Sequence, residues 1–220
     1  MTRLALSSDF NDYYDHALDE YRGIGPKWDR LSVTKRTRAQ DLNLLRELGL
    51  DPPAHGPACR LHSSKVVVYD SMCAHRGEGK RLEMRSDVDE DAFCSEFIEC
   101  SGPPVSYRVL LIGDRRLFLR YESTDAWRSN MGEVCIEFVE KGSREWRMLQ
   151  LLAESLPILQ AALVTPLLAV DFVLGEHSYT HFRAVDLNTA PGLSGSPVQE
   201  TMKADEVATL LKKRWEEIRP

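Results

Sequence analysis

The sequence has no CxxC pair, no secretion signal and no long uninterrupted apolar run. Its five cysteines are an odd number without paired spacing, which indicates reduced thiols rather than a disulfide framework. The longest apolar stretch, residues 156–174, is interrupted by Pro157, Gln160, Pro166 and Asp171, whereas a membrane span needs about 20 nearly continuous apolar residues. The first ten residues, MTRLALSSDF, contain too short an apolar run for a signal peptide. We therefore expect a cytoplasmic protein with no membrane partner.

An excess of positive charge is lacking as well. The formal net charge is −6 over 220 residues, so general binding to nucleic acid is not expected. Hydrophobic residues make up 43% of the chain, enough to bury a core. The charge is uneven, with a basic cluster at Arg22, Lys27, Arg30, Lys35, Arg36 and Arg38. Such a cluster is either a solvated face or a site for an anion, and the residues leave both interpretations open.

Strand patterns follow a break at Pro52, Pro53, Gly56 and Pro57. β-branched or alternating runs predict strands at 65–69, 93–98, 107–112, 117–121, 134–139, 167–174 and 180–187. Helical spacing predicts helices at 34–48, 144–163 and 204–218, the second of them ended or kinked at Pro157. Hairpins mixed with helices indicate antiparallel sheet, and therefore an α+β fold class.

Two of the predicted strands carry an acid within an apolar run, Asp171 in AVDFV and Asp186 in AVDLN. A buried charge is costly unless something compensates it. Asp186 and Asn188 are two residues apart and leave the same strand face, and Asp171 joins them if the strands are hairpin partners. Carboxylate and amide oxygens are hard ligands suited to Mg²⁺. The spacing alone also allows two strand-edge acids satisfied by loop amides.

Three blocks of sequence, one of them in two segments, resemble motifs of the ATP-grasp ligases. Residues 186–193, DLNTAPGL, resemble the E-x-N-x-x-P-G segment of D-alanine–D-alanine ligases and ribosomal-protein glutamate ligases, with Asp186 in place of the usual glutamate. The segments YRVLLIGD at 107–114 and WRSN at 127–130 resemble a block of the glutamate-ligase branch. SEFIE at 95–99 resembles the strand whose backbone reads adenine. The motifs follow the family's order over roughly residues 60–215.

The resemblance implies an ATP-grasp fold, in which two small lobes with antiparallel sheets hold a nucleotide between them. It implies a nucleotide-loop lobe at 59–100 and a magnesium-binding lobe at 101–220. The segment at 1–58 is expected to be a reduced N-terminal region that faces the substrate or a partner. Family members carry a larger domain at that place. A partner chain or second subunit is the alternative means of completing the site.

Residue roles are implied in the same way, with ATP and Mg²⁺ as cofactors. Magnesium is assigned to Asp171, Asp186 and Asn188, and catalytic charge stabilisation to Arg128, Asn130 and Arg120. HRGEGK at 75–80 resembles the family's glycine-rich phosphate loop. Nucleotide contacts are expected from Lys65, Arg76, Gly77, Gly79, Lys80, Glu96, Phe97, Ile98 and Arg108. Tyr69 stands where the family usually has a lysine.

The implied activity is ligation of a carboxylate to an amine through an acyl phosphate. The acceptor is expected to be an amino acid, a peptide or a protein. Two alternatives stay open: an ATP-grasp phosphotransferase acting on a hydroxyl, and a nucleotide-binding remnant without turnover. The basic cluster is predicted to border the substrate entrance.

Overall fold

The computed structural model describes residues 36–70, 79–100, 102–175, 181–189, 191, 193 and 196–218. A four-stranded sheet in the order β1-β4-β2-β3 consists of β1 (His55–Pro57), β2 (Lys65–Tyr69), β3 (Lys80–Met84) and β4 (Phe93–Glu96). A five-stranded sheet in the order β7-β6-β5-β8-β9 consists of β5 (Val105–Ile112), β6 (Arg115–Ser123), β7 (Val134–Phe138), β8 (Leu167–Leu174) and β9 (Phe182–Asn188). The helices are α1 (Arg38–Glu47), α2 (Arg144–Leu152), α3 (Leu156–Ala162), α4 (Pro197–Thr201) and α5 (Ala204–Ile218). All pairings in both sheets are antiparallel, and the α+β class is confirmed.

Most of the predicted elements are present with shifted ends. The helix predicted at 144–163 is two helices, α2 and α3. Pro157 lies in the first turn of α3, where its missing N–H leaves no helical hydrogen bond unmade. The predictions missed β1, β3 and α4; β1 is a three-residue edge strand in which Pro57 is tolerated. No helix in the described ranges is long and apolar enough to cross a bilayer.

One face of the five-stranded sheet packs against α4 and α5. Leu110 and Ile112 of β5 are fully buried there, in a core shared with Leu211 and Trp215 of α5. Because side chains alternate along a strand, Ser106 and Arg108 share the face of Leu110. This face is therefore apolar beneath α5 and becomes polar towards the beginning of β5.

The opposite face of the same sheet packs against α1, α2 and α3. Leu42 and Leu45 of α1 are fully buried in a core that they share with Val109 and Leu111 of β5. The helix that precedes the boundary predicted at residue 58 is thus part of the core of the five-stranded sheet. The division into segments at 58 and 100 remains a prediction about domains.

Candidate active site

A cleft of about 1090 Å³, counted with its open mouth, lies between the two sheets. Ligand sites in proteins are typically concave clefts of this kind, lined by apolar side chains with a few polar groups. Its lining from the four-stranded sheet includes Val67, Tyr69, Lys80, Ser95 and Glu96. Its lining from the five-stranded sheet includes Ser106, Arg108, Tyr121, Asp171, Val173, Val185 and Asp186. Residues 96–98, where β4 ends, and the loop 126–130 complete the enclosure.

Most of the residues predicted from sequence meet in this cleft: Lys80, Glu96, Phe97, Ile98, Arg108, Arg128, Asn130, Asp171 and Asp186. Gly79 immediately precedes Lys80 and has a φ of 62°, a conformation that glycine adopts without strain. Arg76 and Gly77 lie outside the described residues.

Lys65 and Arg120 are not brought into the cleft. Lys65 begins β2, at the end of the strand away from Tyr69, and its ammonium lies 2.6 Å from a Glu99 carboxylate oxygen. Arg120 is the strand partner of Tyr107, on the sheet face opposite to Tyr121. Its guanidinium pairs with Glu122 and with Glu137. Both arrangements are those of ordinary surface ion pairs.

The two predicted magnesium carboxylates face each other across the β8–β9 hairpin, where Asp171 is the direct partner of Asp186. The register shifts by one residue there, leaving Val185 as the extra residue of a β-bulge. The bulge reverses the alternation, because Ala184 packs into the helix-covered core while Asp186 lines the cleft. Asn188 pairs with Ala169, two residues beyond Asp186 on the same strand face, as predicted.

Asp171 is held by a fork-shaped contact with Arg108 on the neighbouring strand β5. The Nε and Nη2 atoms of Arg108 donate to the two carboxylate oxygens at 2.7 and 2.9 Å, and Nη1 donates to the Tyr121 hydroxyl at 3.1 Å. Burial is the largest single influence and opposes the charge on this guanidinium, but the Asp171 carboxylate and the Tyr121 hydroxyl together outweigh it and raise the pKa of Arg108 above its usual value. A two-point contact of this kind fixes the direction of both side chains.

Asp186 is paired with Arg38, a residue that the sequence analysis did not place in the site. Arg38 is the first residue of α1, behind the N-cap Thr37, whose side chain and backbone form a capping box with Gln40. The Arg38 side chain is 7% exposed, ion-pairs with Asp186 and lies 5.7 Å from the centroid of the Tyr69 ring. The Thr-x-x-Gln pattern would have predicted the start of this helix, but not a contact with a strand so distant in sequence.

Lys80 brings a positive charge to the cleft from the four-stranded sheet. Its ammonium lies 5.8 Å from the centroid of the Tyr69 ring, and the Tyr69 hydroxyl is 3.0 Å from that of Ser95. Burial and the nearby charge of Arg38 lower the pKa of Lys80 to about 8, with Asp171 opposing the shift. An anion bound beside this ammonium would favour its protonated form.

The loop that presents Arg128 and Asn130 is held by Asp125. This carboxylate accepts from the backbone N–H groups of Trp127 and Arg128 at 3.0 and 2.9 Å and from Arg128 Nη2 at 2.9 Å. The hydrogen bond from the Arg128 side chain contributes most to a pKa of Asp125 well below its usual value. The Trp127 ring meets that of Phe97 edge-to-face at 6.2 Å, so the loop is connected to the end of β4.

The donor set fits a magnesium ion. Within the described ranges no group of three or more His, Cys, Asp or Glu side chains is placed to hold a metal ion. A metal here would need the amide oxygen of Asn188 beside the carboxylates of Asp171 and Asp186. Both carboxylates are already paired with arginines, but an ionised carboxylate has about four acceptor positions. Mg²⁺ takes one or two carboxylates together with water and phosphate oxygens.

No protein-family model matches the chain, and no curated protein sequence matches it significantly. Solved structures do match. D-alanyl-alanine synthetase A from Vibrio cholerae O1 biovar eltor superposes with a TM-score of 0.61 at 10% identity, over 83% of this chain and 66% of that one. The ATP-grasp ligase PsnB complexed with a minimal precursor gives 0.59 at 15% identity, over 96% and 78%. A RiPP-associated ATP-grasp ligase from Chryseobacterium gregarium, in complex with ADP and a leader and core peptide, gives 0.57 at 12%, over 95% and 71%.

The chain spans just under two thirds of the length of D-alanyl-alanine synthetase A. At identities of this size the likeness concerns the fold. The order of the strands, the cleft between the two sheets and these superpositions agree. The chain has the ATP-grasp fold.

Proposed function

We propose that this chain is an ATP-dependent ligase that joins a carboxylate to an amine, with ATP and Mg²⁺ as cofactors. The observation that carries the proposal is the meeting of Lys80, Arg108 and Arg128 with Asp171 and Asp186 in one cleft. Cationic side chains suit phosphate oxygens, and paired acids suit the metal that accompanies them. The structures that match include ligases complexed with a precursor variant, with a leader and core peptide, with ADP or with ATP.

The apolar part of the cleft is the place proposed for the adenine base. It is lined by Val67 and Val173, together with Phe97 and Ile98 at the end of β4. The polar part begins at Lys80 and Arg108, on facing walls, and is the place proposed for the phosphates. In this arrangement the base and the phosphates would occupy different parts of the cleft, with the terminal phosphoryl group near the acids.

Transfer of a phosphoryl group to a carboxylate needs positioning and neutralisation of the charge on the phosphoryl oxygens. Lys80 and Arg128 supply positive charge, and Arg108 keeps Asp171 aligned. Asn130 is proposed to donate to the reacting group from the rim of the cleft. When bound at Asp171, Asp186 and Asn188, magnesium would add electrostatic stabilisation of the same oxygens.

The acceptor is proposed to be an amino acid, a peptide or a protein. This part rests on the family resemblance and on the matching ligases in complex with a minimal precursor or with a leader and core peptide. The segment before residue 58, alone or with a partner chain, is the proposed site of substrate binding.

One observation favours a second candidate, a nucleotide-binding protein without turnover. Both acids proposed to hold the metal are engaged by arginines, Asp171 with Arg108 and Asp186 with Arg38. If those pairs persist with nucleotide bound, the metal would be poorly held and the phosphoryl transfer slow.

Trapping with hydroxylamine separates the candidates. The protein is incubated with ATP, Mg²⁺ and a panel of amino acids and short peptides, with and without hydroxylamine, and ADP and hydroxamate are measured. A ligase gives ADP and a hydroxamate with the right acid, whereas a phosphotransferase gives a stable phosphoester. Binding of nucleotide without ADP release across the panel would favour the protein without turnover. An Asp186→Asn variant controls for contaminating activity.

A further inference from the structure

Arg38 joins three parts of the molecule that are separate in sequence. It begins α1, which is anchored in the core of the five-stranded sheet by the fully buried Leu42 and Leu45. Its guanidinium reaches Asp186 of β9 in that sheet and lies over the ring of Tyr69 in the other. The residue is therefore fixed at its backbone and at its charged end.

The neighbouring basic residue shows that this arrangement is particular to Arg38. Arg36 donates from Nε to Asp41 at 2.7 Å, so its charge is matched within its own segment. Arg38, in contrast, forms its ion pair with Asp186, which lines the cleft. Two residues of one basic cluster thus have different partners, and only the Arg38 pair touches a proposed metal ligand.

The charges around Arg38 are those of the proposed phosphate and metal site. Asp186 is its ion-pair partner, while the charge of Arg38 helps to lower the pKa of Lys80. Asp171, the strand partner of Asp186, opposes that shift. A divalent cation entering between the two acids would meet the guanidinium of Arg38 at the same carboxylate.

We propose that Arg38 sets the affinity of the cleft for divalent cations by competing with them for Asp186. The inference rests on the proposed function, since it takes Asp186 as a metal ligand. Before a metal binds, Arg38 supplies the positive charge that the partly buried carboxylate requires. When a metal binds, it and the guanidinium repel each other across one carboxylate. This repulsion makes the free energy of metal binding less favourable, by an amount that depends on Arg38.

The test measures Mn²⁺ binding by the electron paramagnetic resonance signal of the free ion, a readout that does not depend on activity. Wild type, Arg38→Gln, Arg38→Lys and Arg36→Gln are titrated with and without a non-hydrolysable ATP analogue. Removing the competing charge in Arg38→Gln is expected to tighten Mn²⁺ binding at least about tenfold in both series. Arg38→Lys, which keeps the charge but loses the planar guanidinium, is expected to tighten it by about threefold. Arg36→Gln is the matched control and should bind as wild type does.

Several outcomes would overturn the proposal. Unchanged or weaker Mn²⁺ binding by a folded Arg38→Gln variant would reduce Arg38 to a structural contact. If that variant does not fold, Arg38→Lys decides, and wild-type affinity there overturns the proposal. Equal tightening in Arg36→Gln would show a general effect of net charge and overturn it too. If wild type with the ATP analogue binds no Mn²⁺, the proposed function fails; if it binds Mn²⁺ but the Arg38 variants match it, this inference alone fails.

Discussion

Tyr69 and Lys80 are direct partners across β2 and β3, with the Lys80 ammonium 5.8 Å from the centroid of the Tyr69 ring. The resemblance to ATP-grasp ligases leads one to expect a lysine at position 69. Antiparallel pairing brings the ammonium of Lys80 to that place from the neighbouring strand, whereas Lys65 pairs with Met84 at the other end of the ladder. The register identifies Lys80, and not Lys65, as the cation of this wall of the cleft.

Lys80→Met is therefore expected to weaken binding of an ATP analogue by about ten- to a hundredfold, the range for losing a charged hydrogen bond. Lys65→Met, which removes an exposed pair with Glu99, is the matched control and should leave affinity unchanged. Isothermal titration calorimetry measures both. The double variant Tyr69→Lys/Lys80→Tyr exchanges the two partners and should recover part of the loss. Equal effects of the two single variants would contradict this assignment.

Nucleotide affinity is expected to fall as the pH rises through 8. The pKa of Lys80 in the free protein is lowered to about 8 by burial and by Arg38, and a bound phosphate favours the charged ammonium. Affinity should thus be nearly flat up to about pH 7, fall about twofold by pH 8 and fall about tenfold by pH 9, where about one lysine in ten is charged. Burial raises the pKa of Tyr69, so its hydroxyl does not titrate in this range. In Lys80→Arg the side chain stays charged, and a fall of the same size in that variant would rule out Lys80 as the cause.

Asp186→Asn and Asp171→Asn are each expected to lower magnesium-dependent ATP turnover at least about a hundredfold, the size of typical electrostatic contributions. The structure adds a stability cost, because each change removes the charge that matches a buried arginine. Asp171→Asn should lower the free energy of unfolding by about 3 kcal/mol, as for breaking a buried pair, and Asp186→Asn by less, since Asp186 is the more exposed of the two acids.

Turnover of these variants is measured below their melting temperatures, and stability by denaturant unfolding. Asp114→Asn is the matched control, because Asp114 pairs with Lys213 on the surface, 2.7 Å from its ammonium. It should change neither quantity appreciably. Wild-type turnover in either cleft variant, with unchanged metal dependence, would remove that acid from the metal site.

Gly113→Ala is expected to destabilise the protein by about 3 kcal/mol or more. Gly113 has a φ of 64°, and a β-carbon placed there would lie 2.5 Å from the backbone oxygen of Leu210 in α5. Gly142→Ala isolates the clash, because Gly142 has a φ of 86° but nothing within 4 Å of the added carbon. That control should cost only about 1 kcal/mol, for the left-handed backbone alone. Both variants are measured by denaturant unfolding. Equal losses in the free energy of unfolding would show that α5 shifts to make room for the added β-carbon.

The basic cluster illustrates what charge in a sequence can and cannot indicate. Its charge left two interpretations open, a solvated face or a site for an anion, and the position of the cluster predicted that it borders the substrate entrance and recruits an anionic substrate or an acidic partner chain. In the structure Arg36 is matched by Asp41 in its own segment, whereas Arg38 is buried against Asp186. The remaining basic residues lie outside the described part of the chain, and their role stays a prediction.

The sequence by itself determined the local elements and the order of the motifs. The acids at 171 and 186 could be identified because a charge inside an apolar strand is conspicuous, and Asp186 and Asn188 share a face because strand periodicity is strict. The tertiary structure decided which charges meet. The register of β2 against β3 selected Lys80 over Lys65, the bulge at Val185 turned Asp186 into the cleft, and the docking of α1 brought Arg38 to it. Ion pairs depend on distances of a few ångströms between side chains remote in sequence, and such distances are set by packing, which local patterns do not encode.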